Sequence, residues 1–238
     1  EKKVLSSVQR RSLGKETEKS FRYRASYSKL GRAQYLSHND LSSILQRGFR
    51  KAGIEIQYSE GFHPKMSLSF LPALPLGMGG KEEILEFRSH YEFSEKAFLL
   101  RMNTVLPMDI KFLDLIEVDP IRSSMTDEIY GMVYSITLDG TQIDRLVQNW
   151  IGINGISKPG WSETLIKKLM TCAEEFKPGI VEKIEFFEKQ NIFYLSVRFD
   201  KGHSLRIQDI VENIFKIENS VFNIIREKVI FKKASPIP

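Results

Sequence analysis

The chain predicts an α+β fold of two consecutive ferredoxin-like units, each running β-α-β-β-α-β, with an inserted helix in the second. Three observations carry this expectation. Segments of period two alternate with segments of period three to four, the same order recurs in both halves, and one extra helical stretch interrupts the second copy.

Residues 1–20 show no sustained apolar periodicity and read as a linker. From Phe21, Tyr23, Ala25 and Tyr27 alternate with Arg22, Arg24, Ser26 and Ser28, the pattern of a half-buried strand. Ser37 and Asp40 resemble a capping box, and Leu41, Ile44, Leu45, Gly48, Phe49 and Ala52 then mark one helix face that Gly53 terminates. Arg47, Arg50 and Lys51 fall on the other side. Short strands are expected at 54–58 and 67–71, a longer one near 83–88, a helix from Ser94 and a closing strand at 110–118. This makes 21–120 the first unit.

The second unit, 127–238, begins with a strand at 129–138. Thr141 and Asp144 predict the next helix start. Residues 162–176 form the inserted helix, 180–187 and 192–199 a hairpin, Ile207 to Phe215 the second helix and 221–231 the last strand.

Composition narrows the function classes. With 42% hydrophobic and 27% charged residues the chain reads as an ordinary soluble protein, and its apolar runs are too short to cross a bilayer. Cys172 is the only cysteine, which excludes an internal disulfide and fits a cytoplasmic setting. No histidine or cysteine pair has metal-ligand spacing, so no metal site is expected. Residues 21–66 carry eight Lys/Arg against three Asp/Glu. That basic excess, next to an alternating aromatic strand, points to a polyanion such as RNA.

Between Ser37 and Gly77 lie three ordered motif pieces. The first is Ser37, His38, Asp40 and Leu41; the second Ser59, Gly61, Phe62, His63 and Pro64; the third Ser69, Phe70, Pro72, Leu74, Pro75 and Gly77. On these pieces the sequence resembles the radical SAM-linked protein family over about residues 21–120. Met66 and Glu60 depart from the family pattern, the latter adding a negative charge to the loop. The resemblance implies a domain fused behind, or encoded beside, a radical SAM protein. A radical SAM cluster needs three closely spaced cysteine thiolates. With one cysteine this chain holds no cofactor of its own, and the iron–sulfur cluster and SAM belong to a partner or preceding domain.

The function expected is therefore substrate recognition without catalysis, with RNA as the substrate and a radical SAM protein as the partner. Arg22, Arg24, Arg47, Arg50 and Lys51 would neutralise phosphates, while His38, His63 and Lys65 would converge to hold one phosphate beside the Ser37 helix start. Two alternatives are an RNA-processing enzyme using His38 and His63 as acid and base, and a docking module presenting the apolar 74–80 crossing to the radical enzyme.

Overall fold

The computed structural model describes residues 16–60, 62–119, 123–152, 155–156, 159–199, 206–217 and 222–232, with side chains from residue 20 onward. The chain is α+β and divides into two compact units, Glu1–Glu128 and Ile129–Pro238.

In the first unit β1 spans Glu16–Lys29, α1 His38–Ala52, β2 Leu68–Phe70, β3 Gly79–Tyr91, α2 Glu95–Val105, β4 Ile110–Val118 and α3 Met125–Glu128. The strands are antiparallel in the order β4-β1-β3, with β2 paired to β3. Tyr23, Ala25, Tyr27, Leu85, Phe87 and Phe112 face a core closed by Leu45 and Phe49 of α1 and Phe98 and Met102 of α2. Phe49, Phe87, Phe98 and Phe112 interlock there, with ring centroids 5.2 Å apart for Phe98 and Phe112 and 5.3 Å for Phe49 and Phe87. Such tilted aromatic pairs add to the burial of their area.

Several expectations change. The strand starts at Glu16 rather than Phe21, so part of the expected linker is β1, and residues 1–15 lie outside the described residues. β1 is central, not half-buried: Arg22 and Arg24, expected on a solvated face, are each only 8% exposed because Ser123–Glu128 folds over them. That contact also keeps α3 in the first unit. The strand expected at 54–58 does not form. Ile54 and Ile56 alternate into the core as the pattern requires, but Tyr58 makes only an isolated bridge to Met66, and β2 occupies the edge of β3.

The second unit comprises β5 Ile129–Thr137, α4 Gly140–Trp150, α5 Trp161–Phe176, β6 Val181–Phe187, β7 Ile192–Arg198, α6 Ile207–Phe215 and β8 Asn223–Phe231. Its strands are antiparallel in the order β8-β5-β7-β6. The first helix starts earlier than Thr141: Asp139 is the cap, accepting the Gln142 N–H while the Gln142 side chain accepts the Asp139 N–H, a complete capping box. Cys172 is buried on α5. Among the described residues no helix is long and apolar enough to cross a membrane, and no cluster of three His, Cys, Asp or Glu could hold a metal.

Candidate functional site

The motif pieces divide between two places. At the start of α1, Ser37 caps the helix: its hydroxyl accepts the Asp40 N–H at 3.1 Å and donates to the Asp40 carboxylate at 2.6 Å. Asp40 thus already supplies the negative charge that the helix dipole favours, which removes the vacancy an incoming anion would fill. The His38 ring packs edge-on against Phe70 at 5.1 Å. Both line a cavity of about 20 Å³, with Tyr27, Lys29, Leu41, Leu74 and Glu83 among its other walls. That is room for about one water. Lys29, only 3% exposed, donates from Nζ to the Leu36 carbonyl beside the equally buried Glu83. The first and third motif pieces therefore meet, around a closed polar cluster that sequence reasoning missed because Lys29 and Glu83 sit on the core face of their strands.

The second piece is the tip of a hairpin. Ser59 binds Lys65 twice, through a backbone bond at 2.8 Å and through its hydroxyl, which accepts the Lys65 N–H at 3.1 Å. Gly61 lies outside the described residues. Phe62, which could have anchored the turn, is instead 103% exposed, and Glu60, His63, Pro64 and Lys65 are exposed with it. The hairpin is seated through the Gln57 N–H on the Arg88 carbonyl, while Phe70 pairs Leu85. Three residues of β3, about 10 Å, separate these anchor points. His38 is thus held against Phe70 at the start of α1, while His63 stands on the exposed hairpin tip.

Of the cations expected to meet phosphate, two groups behave differently. Arg22 donates to one Glu86 carboxylate oxygen from Nε at 3.0 Å and Nη2 at 2.6 Å, and Nη2 also reaches the Ser123 carbonyl at 3.1 Å. Arg24 bridges the other Glu86 oxygen at 2.6 Å and Glu128 at 2.9 Å. These buried guanidiniums are committed to carboxylates, which corrects the expectation that they face a ligand. Arg47, Arg50 and Lys51 are exposed along the last turns of α1, one face at spacings of three and four. Only Gly53 to Gln57 links that helix end to the hairpin base, a reach of about 18 Å at most. Arg47, Arg50 and Lys51 and the hairpin tip with Phe62, His63 and Lys65 are two exposed segments of the first unit, with exposed Glu55 and Glu60 lying between and beside them in sequence.

A further cleft of about 300 Å³ lies on the opposite sheet face, between β2 and the segment leading into α3. Arg22, Glu86, Arg88, Ser67, Ser69 and Thr126 line its polar side, and Phe70 and Met125 contribute apolar surface. Only Arg22, Ser69 and Phe70 had been singled out. The period-two spacing of Ser67 and Ser69, and of Glu86 and Arg88, was the legible signal.

Residues 22–233 match the family described as "Uncharacterized protein conserved in bacteria (DUF2344)". The chain belongs to this family. No curated protein matches it. Among solved structures, an unknown protein from Galdieria sulphuraria is similar over 89% of this chain and 100% of its own, at 12% identity and a TM-score of 0.28.

Proposed function

We propose that this DUF2344 chain is a non-catalytic, RNA-binding substrate-recognition module that works with a radical SAM protein, and that its two units are tandem ferredoxin-like domains. The ferredoxin-like reading is supported by the repeated element order and by the strand order, with the first and third strands of each unit central. The radical SAM partner rests on the resemblance carried by the motif residues and on the single cysteine.

One observation carries the RNA reading: Arg47, Arg50 and Lys51 are exposed on one helix face, and the following hairpin exposes an aromatic tip bearing Phe62, His63 and Lys65. Cations that track phosphates beside an aromatic on which a base can stack are the combination that single-stranded nucleic acids require. The binding surface is thus displaced from the sheet, where Arg22 and Arg24 are ion-paired, to the helix end and hairpin. Acid–base cleavage would need the rings of His38, packed on Phe70, and His63, on the exposed hairpin tip, to reach one phosphate.

Fluorescence anisotropy with a structured RNA bearing an unpaired loop tests the proposal. Four cations, Arg47, Arg50, Lys51 and Lys65, give an expected slope of log K against log salt of roughly −3, at about −0.7 per contact. The triple change Arg47→Glu, Arg50→Glu and Lys51→Glu should abolish binding without lowering Tm, and Phe62→Ala should weaken it about tenfold, as loss of one stacked base does. No binding at low salt, or binding indifferent to salt, rejects the assignment.

A further inference from the structure

We propose that the edge of β6 binds a second copy of this chain, joining two second-unit sheets through antiparallel β6 strands that cross at Ile184. β6 ends the strand order β8-β5-β7-β6. The direction in which its backbone groups point follows from β7. There the Arg198 N–H donates to the Ile180 carbonyl at 2.8 Å, whereas the Phe199 N–H donates to the Tyr130 carbonyl at 2.8 Å and the Asn191 carbonyl accepts the Leu138 N–H at 3.0 Å. Even-numbered residues of β7 thus face β6, and odd-numbered ones face β5. Lys183, Glu185 and Phe187 pair Ser196, Tyr194 and Ile192, so their backbone groups turn inward and those of Ile184 and Phe186 lie on the outer edge. Among the described residues, nothing donates to or accepts from that pair of residues there.

The edge of β4 is built differently. Asn103 takes up both the N–H and the carbonyl of Phe112, at 2.8 and 2.9 Å, and the Asp114 carboxylate accepts the Leu115 N–H at 2.8 Å. Side chains close that edge against a foreign strand. β6 carries a charge pattern instead: Lys183 and Glu185 are exposed on one face of the strand, 2.7 Å apart. When Ile184 meets Ile184 of the second copy, Lys183 of each strand stands directly opposite Glu185 of the other, at the closely spaced non-hydrogen-bonded positions. Four alternating charges then form a square. Sliding the strands by two residues in either direction sets Glu185 against Glu185 or Lys183 against Lys183, and like charges directly opposite are destabilising. The pattern is therefore self-complementary in the Ile184-centred register, as a two-fold interface requires. This inference stands apart from the RNA reading, whose residues all belong to the first unit.

Sedimentation velocity of the full chain between about 1 and 200 μM, the range that titrates a micromolar dimer, tests this. The unaltered chain should pass from monomer to dimer, and the Ile184 and Phe186 amides should exchange more slowly at the higher concentration while the Phe112 amide does not change. Lys183→Glu alone and Glu185→Lys alone should each weaken the dimer about tenfold or more, because like charges then face each other on both sides of Ile184. An equimolar mixture of the two variants should dimerise again, since one copy brings two acids and the other two bases. The double change Lys183→Glu with Glu185→Lys should dimerise as well. Both side chains are exposed, so melting curves should not move; should one single variant fail to fold, the other and the double change decide. A monomer at every concentration overturns the proposal and leaves Lys183 and Glu185 as guards of the edge. A dimer indifferent to both reversals, or variants that stay monomeric on mixing, overturns it too.

Discussion

Replacing Glu86 by alanine should unfold much of the first unit's advantage over the denatured state without touching its apolar core. Glu86 joins two buried arginines, with Arg22 Nη2 and Arg24 Nη2 each 2.6 Å from its oxygens. After Glu86→Ala, Arg24 keeps Glu128 at 2.9 Å, but Arg22 is left with the Ser123 carbonyl as its acceptor among the contacts described above. Removing one partner of a buried ion pair costs about 3–5 kcal/mol, because the other charge stays out of water uncompensated. Domains are typically stable by about 5–15 kcal/mol, so the loss is a large fraction of the total. The double change Glu86→Leu with Arg22→Leu should recover much of it by removing the stranded charge as well. Urea unfolding followed by circular dichroism measures the loss, and hydrogen exchange of β1 and β3 amides assigns it to the first unit, since Trp150 and Trp161 report on the second. Because the pair is buried, 1 M salt should leave the difference nearly unchanged. A loss below about 1 kcal/mol, the range of surface pairs, or one that vanishes in salt, would refute the argument and return Arg22 and Arg24 to the pool of ligand-binding cations.

Three further outcomes follow from local geometry. Asn103 holds β4 by accepting the Phe112 N–H at 2.8 Å and donating to the Phe112 carbonyl at 2.9 Å, so Asn103→Ala should cost about 1–3 kcal/mol by chemical denaturation. A Cβ at Gly131 would lie 2.7 Å from the Val197 carbonyl oxygen, a backbone atom that cannot swing aside, and Gly131→Ala should cost about 1–3 kcal/mol and broaden amide signals along β5 and β7. Burial raises the Tyr23 pKa, helped by the Glu117 and Glu92 carboxylates and opposed by the Phe93 N–H. Its contribution is thus complete below the unfolded value of about 10 and lost as pH rises through the higher folded value; Tyr23→Phe should flatten that alkaline loss in melts taken between pH 8 and 11.

The periodic parts of the fold were legible because their physics is local. The face of α1 through Leu41, Leu45, Phe49 and Ala52 buries as its spacing requires, and α2 begins at its Ser94 cap. What misled was the alternation of β1. Period two reports that adjacent residues face opposite sides, and it is silent on whether a later segment covers the second side. Glu128 is 104 residues from Arg24, and no pattern within Phe21–Ser28 announces it. The candidate cations split for the same reason: those on α1 need nothing beyond their own helix to be exposed, whereas Arg22 and Arg24 depend on partners elsewhere in the chain. Phe62 differs in another way: an aromatic in a turn usually implies an anchor, and here the side chain is instead exposed, which the local sequence does not announce.

The placement of β1 governs how the first unit can emerge during synthesis. The strand made first lies between β3 and β4, pairing Arg22 with Val118 at one end and Lys29 with Ile110 at the other. Until Val118 has left the ribosome, β1 has one side without its ladder, and at about 5–20 residues per second that wait lasts several seconds. During that interval a strand holding Tyr23, Ala25 and Tyr27 presents bare backbone of the kind that recruits foreign strands. A nascent chain stalled or cleaved before β4 should therefore aggregate or engage chaperones, whereas one released after Glu128 has every strand and both arginine partners it needs to close.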